Sequence, residues 1–355
     1  MPKIDWYEEF VDLNYTTAED DLVALFYFEP PRGMSRKESA GRIASESSTG
    51  TWTTLSKLPP RMKGLQATAF EVRENWLAVA YPYELWEPGN FAQLKSGIAG
   101  NIFGMKGVRN LRLVDVSFPK KYLRHFKGPI LGMNGIRKRW KVFKRPLTGA
   151  VPKPKIGFSA AEHARVGYET WMGGFDFVKD DENLTSTKFN KFEKRVELIA
   201  RLRDKAEKET GERKGAFINI TGEVEAMKRR ADLLHEHGFS YAMLDVVIVG
   251  TSGLMTMREY LGDLGITTHA HRAMHAAFDR NPKRTETFSG AIAASIIAER
   301  PLGTEIPRGQ QHLVGLLRCR GHYGGDDPRV GKVGNLGHKT PSAFAGVAAG
   351  AFMAA

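Results

Sequence analysis

From Gly149 onward the sequence repeats one unit: an apolar strand-like run, a polar turn, then an amphipathic helical stretch. The repeat is about 25 to 40 residues, the size of a βα unit in a parallel sheet wrapped by helices. Strand-like runs begin near Gly149, Phe175, Gly215, Tyr241 and Ile266, with Tyr241 to Val249 read as one continuous run. Ser159-Ala160-Ala161-Glu162 has the form of a helix capping box, and Gly173-Gly174 supplies a left-handed stop. Further on, Phe189, Phe192, Val196, Ile199, Leu202 and Ala206 recur with helical period and predict one buried face.

The first 125 or so residues have a different rhythm. A strand over 22–28, a helix over 35–47, strands over 68–72 and 76–81, a helix over 90–98 and a strand over 111–116 give the order β-α-β-β-α-β of a ferredoxin-like sandwich. A Pro-rich and basic stretch, 128–146, shows little pattern. After Lys283 the βα rhythm is lost, and 284–355 is rich in Gly and Ala. The expected architecture is α/β: a ferredoxin-like N-terminal domain (1–127), a linker (128–147), five βα units of a TIM-type barrel (148–283), incomplete after the fifth strand, and an atypical, largely irregular tail (284–355).

Composition narrows the function classes. A single Cys319 in 355 residues excludes an internal disulfide. No uncharged apolar run approaches the roughly 18 residues of a membrane span, and the start is acidic and unlike a signal peptide, so a cytoplasmic protein without membrane partners is expected. The net charge of +12 comes from basic residues interspersed with acidic ones, which reads as a surface suited to phosphorylated small molecules rather than nucleic acid.

Four constellations carry chemistry. Lys179-Asp180-Asp181-Glu182-Asn183 closes a predicted strand, where barrel active sites lie, and offers Asp181 and Glu182 as hard oxygen donors for Mg²⁺. An ammonium has no lone pair, so Lys179 is there either as an ion-pair partner or as a chemically converted group. Lys153-Pro154-Lys155 closes the preceding strand, with two lysines on one face, converging on one cavity mouth and lowering each other's pKa enough for proton exchange with a carbon acid. His269-Ala270-His271-Arg272 closes the fifth strand, with His271 able to move protons and Arg272 to clamp a phosphate. The polar loop from Glu46 through Thr51 and Trp52 offers hydroxyls and amides to a phosphate. Taken singly each has a plainer reading as a charged turn, a stiffened loop or a core histidine. Three of them fall at ends of successive strands, which together fits enolisation of a sugar phosphate at a metal.

The segments ESSTGTWT, GNIFGMK, VPKPK, KDDENLTS and HAHRAMHAAF, in this order, resemble the ribulose-1,5-bisphosphate carboxylase/oxygenase (RuBisCO) large chain, and VPKPK and MHAAF resemble its archaeal type III branch. The resemblance covers about residues 5 to 283. It implies a carbon-carbon lyase that fixes CO₂ onto ribulose 1,5-bisphosphate to give 3-phosphoglycerate. By the same resemblance Lys179, carbamylated by CO₂, would join Asp181 and Glu182 on Mg²⁺. Lys153 would serve enolisation and final protonation, with Lys155 supporting it and His271 as a further contact. Arg272 would bind a substrate phosphate. Glu46, Thr51, Trp52 and Asn101 would be contributed across a homodimer or larger homo-oligomer. Family members continue with three more βα units, including a mobile lysine loop. Here the pattern stops near Lys283, and the string around Lys332 matches that loop only superficially. This departure predicts little or no 3-phosphoglycerate formation by this chain. It leaves two alternatives open: a non-catalytic truncated remnant, and a RuBisCO-like enolase or isomerase of a sugar phosphate.

Overall fold

The structure is a computed structural model that describes residues 5–50, 59–279 and 346–350. These residues form two compact units. One holds the described residues up to Gly128 with Val246–Met255 and 272–279; the other holds Pro129–Asp245, Thr256–His271 and 346–350.

Along the first part of the chain run β1 (Leu22–Glu29), α1 (Arg36–Glu46), β2 (Thr68–Arg73), β3 (Trp76–Tyr81), α2 (Phe91–Ile98), β4 (Arg109–Ser117) and a short α3 (Lys120–Leu123). The strands lie in the order β2-β3-β1-β4 with every neighbour antiparallel, the ferredoxin-like sandwich the sequence predicts. Strand alternation explains β1: Leu22, Ala24, Phe26 and Phe28 are wholly buried while the residues between them are partly exposed. The two longer helices, α1 and α2, each start at a side-chain cap. Ser35 Oγ accepts the Glu38 N–H at 3.0 Å and Asn90 Oδ1 accepts the Gln93 N–H at 3.0 Å. The end of α1 is fixed to β3 where Ser47 Oγ meets the Tyr81 hydroxyl at 2.9 Å.

From Pro129 the chain forms α4 (Met133–Trp140), β5 (Gly149–Lys153), α5 (Ala160–Met172), β6 (Phe177–Lys179), α6 (Phe192–Thr210), β7 (Gly215–Asn219), α7 (Val224–Glu236), β8 (Tyr241–Asp245), α8 (Val246–Asp263), β9 (Thr267–His271), α9 (His275–Asp279) and β10 (Gly346–Gly350). Strands β5 to β9 pair in sequence and in parallel, five strands of an incomplete TIM-type barrel. β10 pairs antiparallel with the outer edge of β5. Of the tail expected to be irregular, only this strand lies among the described residues. An edge strand offers unpaired backbone groups to any segment able to pair with it. Lys332 and the remainder lie outside the described residues.

Aromatic side chains fill the interior of the parallel sheet. Phe177 stacks on Phe217 with ring centroids 4.4 Å apart, Phe217 on His269 at 4.4 Å, and Tyr241 meets Phe177 edge-on at 5.3 Å. Trp140 packs on Phe177 at 4.2 Å and donates its indole N–H to the Tyr241 hydroxyl at 2.8 Å. Gly215 is required there. A Cβ at that position would stand 2.7 Å from Trp140 and 2.8 Å from the Phe177 ring.

Trp140 also corrects an expectation. The segment 128–147 is not a patternless linker, because α4 places Ile136 and Trp140 one turn apart against the Phe177 and Tyr241 cluster. A second correction is that the run from Tyr241 does not stay a strand through Val249. The ladder ends at Asp245, whose N–H turns to Thr221 Oγ1 at 2.9 Å, and the valines that follow open α8. Beta propensity yields here to the five-residue length of the neighbouring β9. Phe189 lies before α6 and is exposed, whereas Phe192, Val196, Ile199 and Ala206 are buried as the period predicts. The capping box at Ser159 forms as expected, and Gly174, with φ of +94°, supplies the left-handed stop that Gly173 does not.

One ion pair ties the segment before β5 to the start of β6. Arg145 donates to both oxygens of Asp176 at 2.7 and 2.8 Å, and the Thr148 N–H adds a bond at 2.8 Å. Burial alone would raise the Asp176 pKa, but Arg145 and Thr148 outweigh it and hold the carboxyl below its usual range. With the folded pKa below the unfolded one, this stability is present above the unfolded value of about 3.9 and is lost as pH falls through the folded value. Asp176→Asn is therefore expected to flatten the acid limb of urea-midpoint measurements between about pH 5 and pH 3. An acid limb as steep as that of the parent would sink the assignment.

Candidate active site at the carboxyl ends of the parallel strands

The final residues of the five parallel strands are Lys153, Lys179, Asn219, Asp245 and His271. Strand ends at this face are where a barrel exposes its chemistry. Each residue there is held by named contacts. Lys153 Nζ donates to Asp181 Oδ2 at 2.9 Å, and Asp181 Oδ1 accepts from the Asn183 side-chain amide at 2.9 Å. Burial opposes ionisation of Asp181, but the bonds from Asn183 and Lys153 prevail and lower its pKa. On the fifth strand His271 stands 3.2 Å from Asp245 Oδ1 through Nδ1 and 3.9 Å from Glu182 Oε2 through Nε2. Although His271 Nδ1 stands 3.2 Å away, Asp245 Oδ1 is a buried carboxyl oxygen without a hydrogen-bond donor among the described residues.

Lys179 is 4% exposed and donates to the Asp180 carbonyl at 2.7 Å. Burial lowers its pKa, against the opposing fields of Glu182, Asp180, Asp181 and Asp245. The neighbouring His269 is half-buried as a residue, and desolvation of its ring, helped by Lys179 and His271, pushes its pKa down to about 3. It is neutral at physiological pH.

Beneath this layer Asp180 points the other way. It is wholly buried and accepts from His163 Nε2 at 2.9 Å, Arg195 Nε at 3.2 Å and the Asn219 N–H at 3.1 Å. Burial would raise its pKa, and the Arg195 charge with the His163 bond more than compensates. Arg195, itself 0% exposed, also holds Asn190 Oδ1 at 3.0 Å and the Thr185 carbonyl at 2.7 Å. The Asn219 side chain clips the carbonyls of Asp181 and Glu182 at 3.3 and 3.0 Å. The loop that presents Asp181 and Glu182 is thus fastened from below by α5, α6 and β7.

The sequence-derived candidates divide. Lys153, Lys179, Asp181, Glu182 and His271 form one connected cluster. Lys155 does not join it: it is exposed beyond β5 and makes no hydrogen bond or ion pair among the described residues. Lys153, by contrast, is paired with the Asp181 carboxylate. Arg272 is exposed, with a guanidinium nitrogen 3.4 Å from His275 Nδ1. Glu46 closes α1 half-buried, and Asn101 is exposed at the start of the turn 101–104. Thr51 and Trp52 lie outside the described residues. Sequence reasoning missed His163, Arg195, Asn219 and Asp245. A charge at Arg195 within an apolar helical stripe, and an acid closing the run at Tyr241, were the available signals.

Among the described residues no three His, Cys, Asp or Glu side chains gather into a ready metal site. Asp181 and Glu182 are nevertheless the hard oxygen donors Mg²⁺ prefers, and Asp245 adds an orphaned carboxylate oxygen nearby. The donor set fits Mg²⁺ if Lys179 supplies an oxygen rather than an ammonium.

Residues 9–122 match the ribulose bisphosphate carboxylase large chain, N-terminal domain, and residues 132–295 match its catalytic domain. This chain belongs to the ribulose bisphosphate carboxylase large-chain family. A ribulose bisphosphate carboxylase of Pyrococcus abyssi is 54% identical over 300 residues, covering 83% of this chain and 70% of the relative. One from Archaeoglobus fulgidus is 46% identical over 290 residues, 80% of this chain and 66% of the relative. Among solved structures, the octameric Rubisco of Pyrococcus horikoshii in complex with sulfate superposes with a TM-score of 0.80 at 52% identity, covering 84% of this chain and 71% of that one. The dimeric Rubisco of Hyperthermus butylicus gives 0.78 at 42% identity, covering 82% and 70%. The resemblance read from the five segments thus extends through the fold, with its catalytic-domain match ending at residue 295. No helix among the described residues is long and apolar enough to cross a membrane.

Proposed function

We propose that this chain is a ribulose-bisphosphate carboxylase that enolises ribulose 1,5-bisphosphate and adds CO₂, giving 3-phosphoglycerate. The observation that carries the reading is the buried Lys179 set among Asp181, Glu182 and Asp245, with Lys153 bound to Asp181, all at strand ends. Burial favours the neutral amine, and only the neutral amine of Lys179 can take up CO₂ as a carbamate. That conversion replaces an ammonium by an oxygen donor beside Asp181 and Glu182, the residues that would then hold Mg²⁺. When bound, Mg²⁺ would stabilise negative charge developing on the substrate oxygens.

The chain's own residues do the rest. Lys153 lies within hydrogen-bond reach of Asp181 and so stands where it can move a proton to and from the carbon next to the substrate carbonyl. His271 is held between Asp245 and Glu182, ready to bind a substrate hydroxyl. His269 stays neutral and adds no positive charge to the interior. Arg272 would pair with one phosphate. Glu46, Thr51, Trp52 and Asn101 would complete the site in a homo-oligomer like those of the dimeric and octameric relatives. In this reading 1–127 is the amino-terminal domain, 128–147 the connection and 148–283 the catalytic unit, in the cytoplasm.

The test is incubation of the purified chain with ribulose 1,5-bisphosphate, Mg²⁺ and ¹⁴CO₂. Acid-stable label in 3-phosphoglycerate, dependent on Mg²⁺ and detectable even at a low level, bears out the carboxylase reading. Exchange of the substrate's C3 hydrogen with solvent but no label would instead assign a sugar-phosphate enolase. Neither reaction would leave a non-catalytic remnant.

A further inference from the structure

At the opposite ends of the strands a cavity opens, with a volume of about 270 Å³, lined by residues around the starts of β7 and β8 and by the end of α4. A five-residue strand spans roughly 16 Å, so this cavity is separated from Lys179 and Glu182 by the aromatic interior of the sheet. Its lining is unusually cationic: Arg139, Arg203, Arg213 and Lys214 against the single acid Glu207.

Two of these cations are already neutralised. The Lys214 side chain is wholly buried and bonds Glu212 at 2.8 Å and the Phe175 carbonyl at 3.2 Å. Arg203 holds Asp204 at 2.7 Å and the carbonyls of His237 and Gly238 at 3.1 and 3.2 Å. Glu207 is engaged as well, accepting the Lys214 backbone N–H at 2.9 Å. The other two cations have no carboxylate. Among the described residues Arg139 meets the Ser240 carbonyl at 3.4 Å and Thr267 Oγ1 at 3.5 Å, both neutral oxygens, and lies 5.8 Å from the centre of the Tyr241 ring. Arg213 is exposed and makes no hydrogen bond or ion pair among the described residues.

Tyr241 adds a third donor. Its oxygen accepts from the Trp140 indole N–H at 2.8 Å, and among the described residues its own proton has no acceptor. Burial keeps that phenol protonated. Two guanidinium groups and a hydroxyl therefore line one concave space, and among the described residues neither guanidinium is ion-paired, the one acid of the lining, Glu207, being bonded to the Lys214 backbone N–H.

We propose that this cavity binds a small tetrahedral oxyanion, either inorganic phosphate or the phosphate group of a small ester. Planar guanidinium forks and a hydroxyl suit an acceptor carrying several oxygens around one centre. The volume, about 270 Å³, falls just below the roughly 300 to 1,000 Å³ of ligand clefts, which admits a phosphate with a small substituent and excludes a dinucleotide. The site stands independently of the carboxylase reading.

Calorimetric titration of the whole chain with inorganic phosphate, at ionic strength matched with NaCl, tests it. Saturable binding is expected, weakened tenfold or more by Arg213→Gln and also by Tyr241→Phe, and unchanged by Lys153→Gln at the other end of the strands. Arg213 is on the surface, so its variant is expected to keep the parent urea midpoint. Glycerol 3-phosphate, titrated in the same way, separates the two sources: competition with phosphate assigns an ester site, and its absence assigns free phosphate. No saturable binding, or binding lost in Lys153→Gln and retained in Arg213→Gln, would overturn the proposal.

Discussion

Replacing Asp180 by Ala should lower the stability of the barrel unit by about 3 to 5 kcal/mol, the range for breaking a buried ion pair from one side. The reason lies in what is left behind. Arg195 is 0% exposed, and although Asn190 and Thr185 still receive two of its nitrogens, its charge would have no carboxylate. His163, also buried, would lose the acceptor of its Nε2. Against a total of about 5 to 15 kcal/mol for a folded domain, such a loss is a large fraction. The measurement is the urea midpoint, with Asp180→Leu combined with Arg195→Met as its partner variant. Removing both charges leaves no buried charge unpaired, although His163 and the Asn219 N–H still lose an acceptor, so the double variant should be more stable than Asp180→Ala. A double variant as unstable as the single one would show that the charges are not what hold this loop.

Lys179→Ala should cost on the order of 10³-fold or more of any carboxylation, comparable to deleting a preorganised electrostatic group from an active site. Asp181 and Glu182 remain in that variant, but the buried amine that can take up CO₂ is gone. Lys179→Met, which keeps the volume, should lose as much activity as Ala, and its urea midpoint should stay level or rise because a desolvated ammonium has been removed. The pH dependence follows from the same burial. A folded pKa below the ordinary lysine value of about 10.4 brings the neutral amine into play at lower pH, so CO₂-dependent Mg²⁺ binding should strengthen as pH rises from about 7 to about 8.5. Retention of a tenth of the parent rate in either variant would refute the role given to Lys179.

The elements most legible in the sequence are those where local chemistry and packing agree. The period-2 burial of β1, the capping box at Ser159 and the five strand starts all follow from side-chain patterning. α4 escaped because only Ile136 and Trp140 mark its buried face within a basic stretch, and its partners Phe177 and Tyr241 lie far along the chain. The valines after Asp245 misled because strand propensity is local whereas strand length is set by the neighbouring strands. At the site, Lys153, Lys179, Asp181, Glu182 and His271 were visible as charges closing apolar runs. Lys155 shares their motif but not their surroundings, since spacing alone does not say how far the chain has left the sheet. The support from His163 and Arg195 was hidden because a buried polar side chain on a helix reads as a solvated one until its acceptor is known.

Lys179, Asp180 and Asp181 serve opposite sides of the sheet in strict succession: the outer two face the strand-end cluster, and the middle one faces α5 and α6. Chemistry and anchorage are therefore coupled by parity. Deleting one residue between Phe177 and Lys179 would exchange them, turning the tether toward the substrate and driving the amine and the carboxylate of Asp181 against His163 and Arg195. Point substitutions can drift at this strand end, but its length cannot, so any descendant of this chain that keeps the activity must keep the count of residues from Phe177 to Glu182.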